Sequence, residues 1–186
     1  MNFKINLKLV PLINQLGVTL LELVITLAIA AIIMAFASPS FKNLIATNRI
    51  VSVTNAFTGG LHLARSEAVK RGTTVTICKS DDITDSSPSC NTNTSASYKG
   101  WVIFVDDNNN GNLNSGEDAL RVGEPPSSAV ISGDTNFANY IKFQSDGQSQ
   151  GASSNDGKIT ICIPPNERNI IINIIGRIKI ETGTCT

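Results

Sequence analysis

The sequence predicts an α+β fold: a long hydrophobic N-terminal helix packed on a mostly antiparallel β-sheet domain. Three observations predict it. An apolar run of helical length lies near the N-terminus, helical periodicity continues to about residue 72, and only strand-like segments separated by polar turns follow. A chain of 186 residues has room for one ordinary domain plus one membrane element. It shows no internal repeat and no linker long enough to set off a second domain.

The first element is the apolar run. From Val18 to Ala37 the chain reads VTLLELVITLAIAAIIMAFA, twenty residues with one charge, Glu22. At helical rise this run spans about 30 Å, the thickness of a bilayer core. Lys4 and Lys8 precede it, which predicts a cytoplasmic N-terminus and an exported C-terminal body. An ordinary secretory signal is the alternative, cut after the run near Ala35, Ala37 and Ser38. Two features weigh against that alternative. The run is longer than a signal core, and it contains Glu22, a carboxylate that costs roughly 3 kcal/mol in a membrane unless it is partnered.

The segment G-V-T-L-L-E-L at residues 17–23 resembles the processing site of type IV prepilins and type II secretion pseudopilins. The resemblance implies that a prepilin peptidase cuts between Gly17 and Val18, so that residues 1–17 are a leader, and that Val18 becomes N-methylated. Glu22 then stands five residues into the mature chain. There the new α-amino cation of one subunit neutralises the Glu22 carboxylate of its neighbour inside an apolar filament core. Val18 occupies the position where phenylalanine is more usual. The resemblance further implies a pilin-like fold and a single inner-membrane pass over residues 18–38, within a helix that reaches residue 72. It implies a periplasmic β-sheet domain over 73–186, and as partners the prepilin peptidase and other pilins or pseudopilins in a filament.

Beyond the run, Pro39 predicts a kink or local opening of the helix. Phe57, Leu61, Ala64 and Ala68 recur at helical spacing as one buried stripe, with Arg65, Glu67, Lys70 and Arg71 facing elsewhere. Gly59-Gly60 weakens the stretch, and Arg71-Gly72 is a good stop. The segment L-A-R-S-E-A-V-K-R-G resembles the end of the long helix in minor subunits of the FimT and GspH type. Strands are predicted at 73–79, 100–105, 119–122, 129–132, 140–143, 158–163, 169–175 and 178–181, from their β-branched and aromatic residues.

Four cysteines, Cys78, Cys90, Cys162 and Cys185, lack the close pairing a zinc site needs. In an exported domain an even count predicts two disulfides. Three pairings are possible, with four buried free thiols as the alternative. Cys78–Cys90 and Cys162–Cys185 are favoured because each closes a short loop within its own half, a constraint of roughly 3 kcal/mol apiece.

Charge narrows the function. The chain is formally neutral, with 15 basic and 15 acidic residues, and loss of Lys4 and Lys8 with the leader makes it slightly acidic. That composition excludes a bulk-electrostatic nucleic-acid binder but leaves room for a small basic patch. Such a patch is expected at Gly176-Arg177-Ile178-Lys179, joined by Arg168. The segment resembles the Gly-Arg-x-Arg motif of FimT-like minor pilins that take part in DNA uptake, with lysine for the second arginine. Lysine keeps the charge and loses the bidentate fork. The resemblance implies weak, salt-sensitive, sequence-indifferent contact with double-stranded DNA in natural transformation. The alternatives are a solvated edge strand and a structural secretion pseudopilin that binds no DNA.

The loop Asp106–Glu117 matches a calcium-loop spacing, with Asp106, Asn108, Asn110, Gly111 and Glu117 in register. Its flanks are strands, not the helices of an EF-hand, and Asn, Asp and Gly also favour hairpin turns, so no metal is assigned. Catalysis finds no support. His62 is the single histidine and sits on the helix, Asp81 and Asp82 lie in a polar loop, and no nucleophile, phosphate-loop or cofactor pattern appears.

Overall fold

The computed structural model describes residues 17–83, 88–94, 97–152 and 156–185. The chain divides into two compact units, Met1–Phe41 and Lys42–Thr186. One α-helix, α1 (Leu20–Arg71), contributes to both and includes Pro39.

In the first unit α1 begins with an N-cap. The Thr19 hydroxyl oxygen accepts a hydrogen bond from the Glu22 backbone N–H at 3.2 Å, which satisfies one of the donors that every helix start leaves unpaired. Glu22 falls in the first turn, where the helix dipole favours a carboxylate. The large apolar side chains from Val18 to Met34 are all between 49% and 80% exposed. Among the described residues no helix is long and apolar enough to cross a membrane. The expected span 18–38 runs into residues 35–38, whose side chains lie outside the description.

In the second unit α1 carries a buried stripe, Ile50, Val53, Phe57, Leu61, Ala64 and Ala68, at the three- and four-residue intervals that place side chains on one face. Phe57 meets Tyr98 and Trp101 edge to face, with ring centroids 6.2 and 5.1 Å away. Gly60 belongs to this contact. A Cβ there would stand 3.2 Å from Ile103 Cδ1 and 3.4 Å from Trp101 Nε1, so the residue that weakens the helix in isolation is also one where the helix packs tightly on the sheet. The helix ends at Gly72, whose φ of 69° suits a C-terminal glycine cap. Its N–H reaches Ala68 O at 2.9 Å.

The strands form two sheets rather than one, all pairings antiparallel. The five-stranded sheet contains β1 (Val75–Ser80), β2 (Gly100–Val105), β3 (Ala119–Gly123), β5 (Tyr140–Phe143) and β6 (Ser149–Gln150) in the order β3-β2-β1-β5-β6. The four-stranded sheet contains β4 (Val130–Gly133), β7 (Gly157–Ile163), β8 (Asn166–Ile172) and β9 (Ile178–Thr184) in the order β4-β7-β8-β9. Both sheets share one core with α1, where Ile77, Ile103, Ile141, Ile131, Ile159, Ile161, Ile170 and Ile172 pack with the helical stripe. Each such fully buried side chain contributes about 2 kcal/mol of transfer free energy.

Strands β1 and β2 are buried at every position, because a second small core covers their other face. Cys78, Val102 and Phe104 pack there against Ile83, Cys90, Leu113 and Tyr140. Two polar loops supply that cover. On the main-core face of β1, paired with Trp101, Lys79 donates to Asn93 O, and to Asn139 Oδ1 at 3.2 Å. Lys142 donates to Asn109 O at 2.6 Å, with its ammonium 4.9 Å from the Tyr140 ring. Burial holds both lysines below the ordinary lysine range, opposed by the nearby charges of Asp81 and Asp106 respectively.

The strand expected at 169–175 begins three residues earlier, at Asn166, and ends at Ile172. Asn173 stops it by closing a turn, in which its carbonyl accepts from Gly176 N–H at 2.7 Å and its side-chain oxygen from Arg177 N–H at 2.8 Å. The strand β6 is two residues long, too short to leave a periodic signal.

Candidate functional site

Two places in the chain carry features beyond packing. The first is the start of α1. Gly17, Val18 and Thr19 precede the helix and are exposed. Thr19 and Glu22 stand at N-cap and N3 of a Thr-x-x-Glu pattern, the spacing of a capping box. The sequence signal for Thr19 was present in T-L-L-E, but the residue is not singled out when Glu22 is read only as an assembly charge. Glu22 is exposed along with its apolar neighbours, so in this chain alone it is solvated.

The second place is the turn between β8 and β9. Arg177 and Lys179 are both exposed and line one hollow of about 280 Å³ with Ile171 and Asn173. Lys179 Nζ also lies 2.7 Å from Glu181 Oε1, an exposed pair of the kind worth little to stability. Arg168 does not join them. It pairs across the ladder with Thr182, whereas Lys179 pairs with Ile171. Directly paired residues share a sheet face and neighbours along a strand alternate. Arg168 therefore lies on the face of Ile170 and Ile172, which is the core face, and the expectation that it adds to the patch is corrected.

The turn itself is held from three directions. Arg65 on α1 donates from Nε to Gly147 O at 3.0 Å and from an Nη to Ile175 O at 2.7 Å. Ser149 on β6 donates its N–H to Ile174 O at 2.9 Å and its hydroxyl to Asn173 O at 2.7 Å. The Asp156 carboxylate accepts from Ile174 N–H. Gly176, at φ 71°, packs so closely that a Cβ would meet Gly147 O at 2.4 Å and Arg65 Nε at 2.9 Å. Reading Arg65 as one of several outward helix charges misses this role. The alternation that places it off the buried stripe cannot show that two distant turns bring carbonyls to it. Beside the clamp, His62, Arg65, Ser66, Val69, Lys70, Asp146 and Gly147 line a hollow of about 530 Å³.

The calcium-loop spacing has a different use in the structure. Asp106 is buried, and its carboxylate accepts from Thr76 Oγ1 at 2.7 Å, Gly111 N–H at 2.9 Å and Asn110 N–H at 3.0 Å. Asn108 and Asn110 both donate to Asn114 Oδ1, and Glu117 Oε2 accepts from Asn114 N–H. Apart from Thr76 on β1, the donors come from the loop itself, so these oxygens close a turn. Among the described residues no group of three or more His, Cys, Asp or Glu is placed to hold a metal. His62, Asp81 and Asp82 do not come together either. Asp81 pairs with Lys99 at 3.7 Å and accepts from Asn91, while His62 stays on the exposed side of the helix.

The cysteines are bonded as Cys78–Cys90 and Cys162–Cys185, with Cα atoms 5.6 and 6.0 Å apart. The first fastens Cys90, beside Ile83, over the small core. The second fastens the C-terminal end of β9 to β7, two strands away in the four-stranded sheet.

Comparison with known proteins adds the following. Residues 53–176 match the family model described as type II transport protein GspH. Residues 12–38 match the model of the prokaryotic N-terminal methylation motif. No curated protein matches the chain. Among solved structures, the type IV minor pilin FimU of Pseudomonas aeruginosa is 22% identical, with 73% of this chain and 90% of that chain covered at a TM-score of 0.51. The minor pseudopilin EpsH from the type 2 secretion system of Vibrio cholerae is 10% identical, with coverage of 72% and 96% and a TM-score of 0.48. The FimU likeness supports the architecture described above.

Proposed function

The chain belongs to the GspH family, type IV pilin-like in fold, and from that membership we propose that it is a minor subunit of a type IV pilus or type II secretion filament. The observation that carries the reading is the methylation motif at residues 12–38, which overlaps the capped start of α1, where the large apolar side chains from Leu20 to Met34 are exposed. In this reading prepilin peptidase cuts between Gly17 and Val18, and Val18 is N-methylated. Residues 18–38 cross the inner membrane once, with the sheet domain in the periplasm. On assembly the same helix leaves lipid for a bundle of neighbouring helices, and Glu22 meets the α-amino cation of an adjacent subunit. The work done is assembly, not catalysis. Mass spectrometry of the protein purified from membranes tests the processing step. The expected product begins with N-methylated Val18, and an intact N-terminus or a cut after Ala37 would overturn it.

A second reading concerns what the filament touches. Arg177 and Lys179, exposed around one hollow, offer two cations to the phosphates of double-stranded DNA. With Arg168 on the other face and Glu181 beside Lys179, few phosphates are reached, so binding is weak and strongly salt-dependent. A gel shift of the full chain in detergent, at low and moderate salt, tests this. Retardation lost in Arg177→Ala/Lys179→Ala supports DNA contact in natural transformation. No retardation at low salt leaves a purely structural pseudopilin.

A further inference from the structure

We propose that Arg65 is the positioning residue of the 173–177 turn: it fixes, from the helix, where Arg177 stands. The inference rests on the phosphate-contact reading only for the ligand; the mechanical part stands on geometry alone. A surface turn of five residues is ordinarily among the most mobile parts of a domain. This one is not left to itself. The carbonyls of Asn173, Ile174 and Ile175 are each taken by a donor from another element, namely Ser149 Oγ, Ser149 N–H and Arg65. The N–H groups of Ile174, Gly176 and Arg177 are taken by Asp156, Asn173 O and Asn173 Oδ1.

Arg65 differs from the other members of this set because it joins two turns. Its Nε holds Gly147 O, in the turn from β5 to β6, while an Nη holds Ile175 O, in the turn from β8 to β9. One planar guanidinium thus spaces a turn of the five-stranded sheet against a turn of the four-stranded sheet. Only a side chain with several donors in a fixed plane can do so, which lysine cannot reproduce. Gly147 and Gly176 leave the room for it: Gly147, at φ 79°, would bring a Cβ to 3.3 Å from Arg65 Nε, and Gly176 to 2.9 Å. Arg177 follows Gly176 directly, so the clamp sets the exit of the chain into β9 and the face on which the two exposed cations appear. Holding a binding group in place beforehand reduces the ordering entropy lost on binding. A patch of two cations depends on that more than a large patch does.

The test compares full-length protein in detergent with Arg65→Met, which keeps the aliphatic stem, Arg65→Lys and Arg177→Ala. Native-state amide exchange is read at Gly176 and Arg177 and, as reference, at Ile170 and Ile172 in β8. Arg65→Met is expected to speed exchange in the turn by roughly tenfold while β8 is unchanged, with Arg65→Lys restoring only part. Unchanged exchange in the turn, or equal acceleration in β8, overturns the proposal, the latter because it signals loss of global stability. In the gel shift with a short duplex, Arg177→Ala should lower the salt slope by about one, whereas Arg65→Met, which leaves the Arg177 charge in place, should weaken binding with the slope unchanged and weaken the Arg177→Ala protein no further. Additive losses would overturn the link from Arg65 to Arg177. A wild-type protein that retards no DNA refutes the phosphate reading, and the exchange result then decides on Arg65 by itself.

Discussion

The two units of the chain solve opposite problems with the same kind of residue. Between Val18 and Met34 the isoleucines, leucines and valines are exposed. From Ile50 onward many of the same side chains are buried in a core shared by one helix and two sheets, although Val69, Ile174, Ile175 and Ile180 stay exposed. The polar residues differ as well. In the first unit Thr19 and Glu22 manage the helix end, whereas in the second Lys79, Lys142 and Asp106 are buried and each is met by hydrogen-bond partners. The contrast teaches that the second unit has a core of its own, while the described apolar side chains of the first unit stay exposed. A change in one unit should therefore leave the other intact.

The largest expected effect is on assembly. Glu22→Ala should abolish incorporation into filaments, scored by immunoblot of sheared filaments, while the thermal midpoint of the sheet domain stays constant. Normal incorporation would break the comparison, because Glu22 would then be a capping residue only. Next in size, Phe57→Ala removes the ring between Tyr98 and Trp101 and should cost about 3–5 kcal/mol in urea unfolding, with N-terminal processing unchanged by mass spectrometry. Replacing Cys162 and Cys185 by serine opens a loop of 23 residues and should cost about 3 kcal/mol, again confined to the second unit. Thr19→Ala should cost about 1 kcal/mol at the first turn, seen as faster amide exchange at Leu21 and Glu22 with no change in the sheets.

The smallest effect is with pH. Lys79 and Lys142 have folded-state values below their unfolded ones, so in the window between the two the unfolded chain binds more protons, and stability rises with pH there. Below the folded value the full cost of the buried charges is present and constant. A urea midpoint that falls as pH climbs toward 10.4, the unfolded lysine value, would show that the burial penalty is outweighed.

Legibility differs between the units for physical reasons. The buried stripe Phe57, Leu61, Ala64 and Ala68, the stop at Gly72 and the strands at 100–105 and 140–143 are written in local periodicity and turn chemistry, so they read directly. The division into two sheets does not, because it depends on which strands pair, and local patterning does not carry pairing. The face of Arg168 was lost for the same reason. Its register became visible only through Thr182 across the ladder, after the strand moved three residues upstream. The Asp106 loop shows the reverse case, in which a metal-like spacing closes on its own amides. Arg65 was the least legible of all, since its partners Gly147 and Ile175 lie 82 and 110 residues away.

The capped start of α1 has one further consequence. Under the proposed processing, a peptidase working after Gly17 would meet a bond that already lies outside the helix, since Gly17, Val18 and Thr19 are non-helical. Proteolytic sites engage extended backbone, and a scissile bond inside the helix would first have to be unwound against the intrahelical bonds. Thr19 sets the boundary of that unwinding. On the processing proposed above, the helix would begin just inside the new terminus, with Thr19 already in place as its cap.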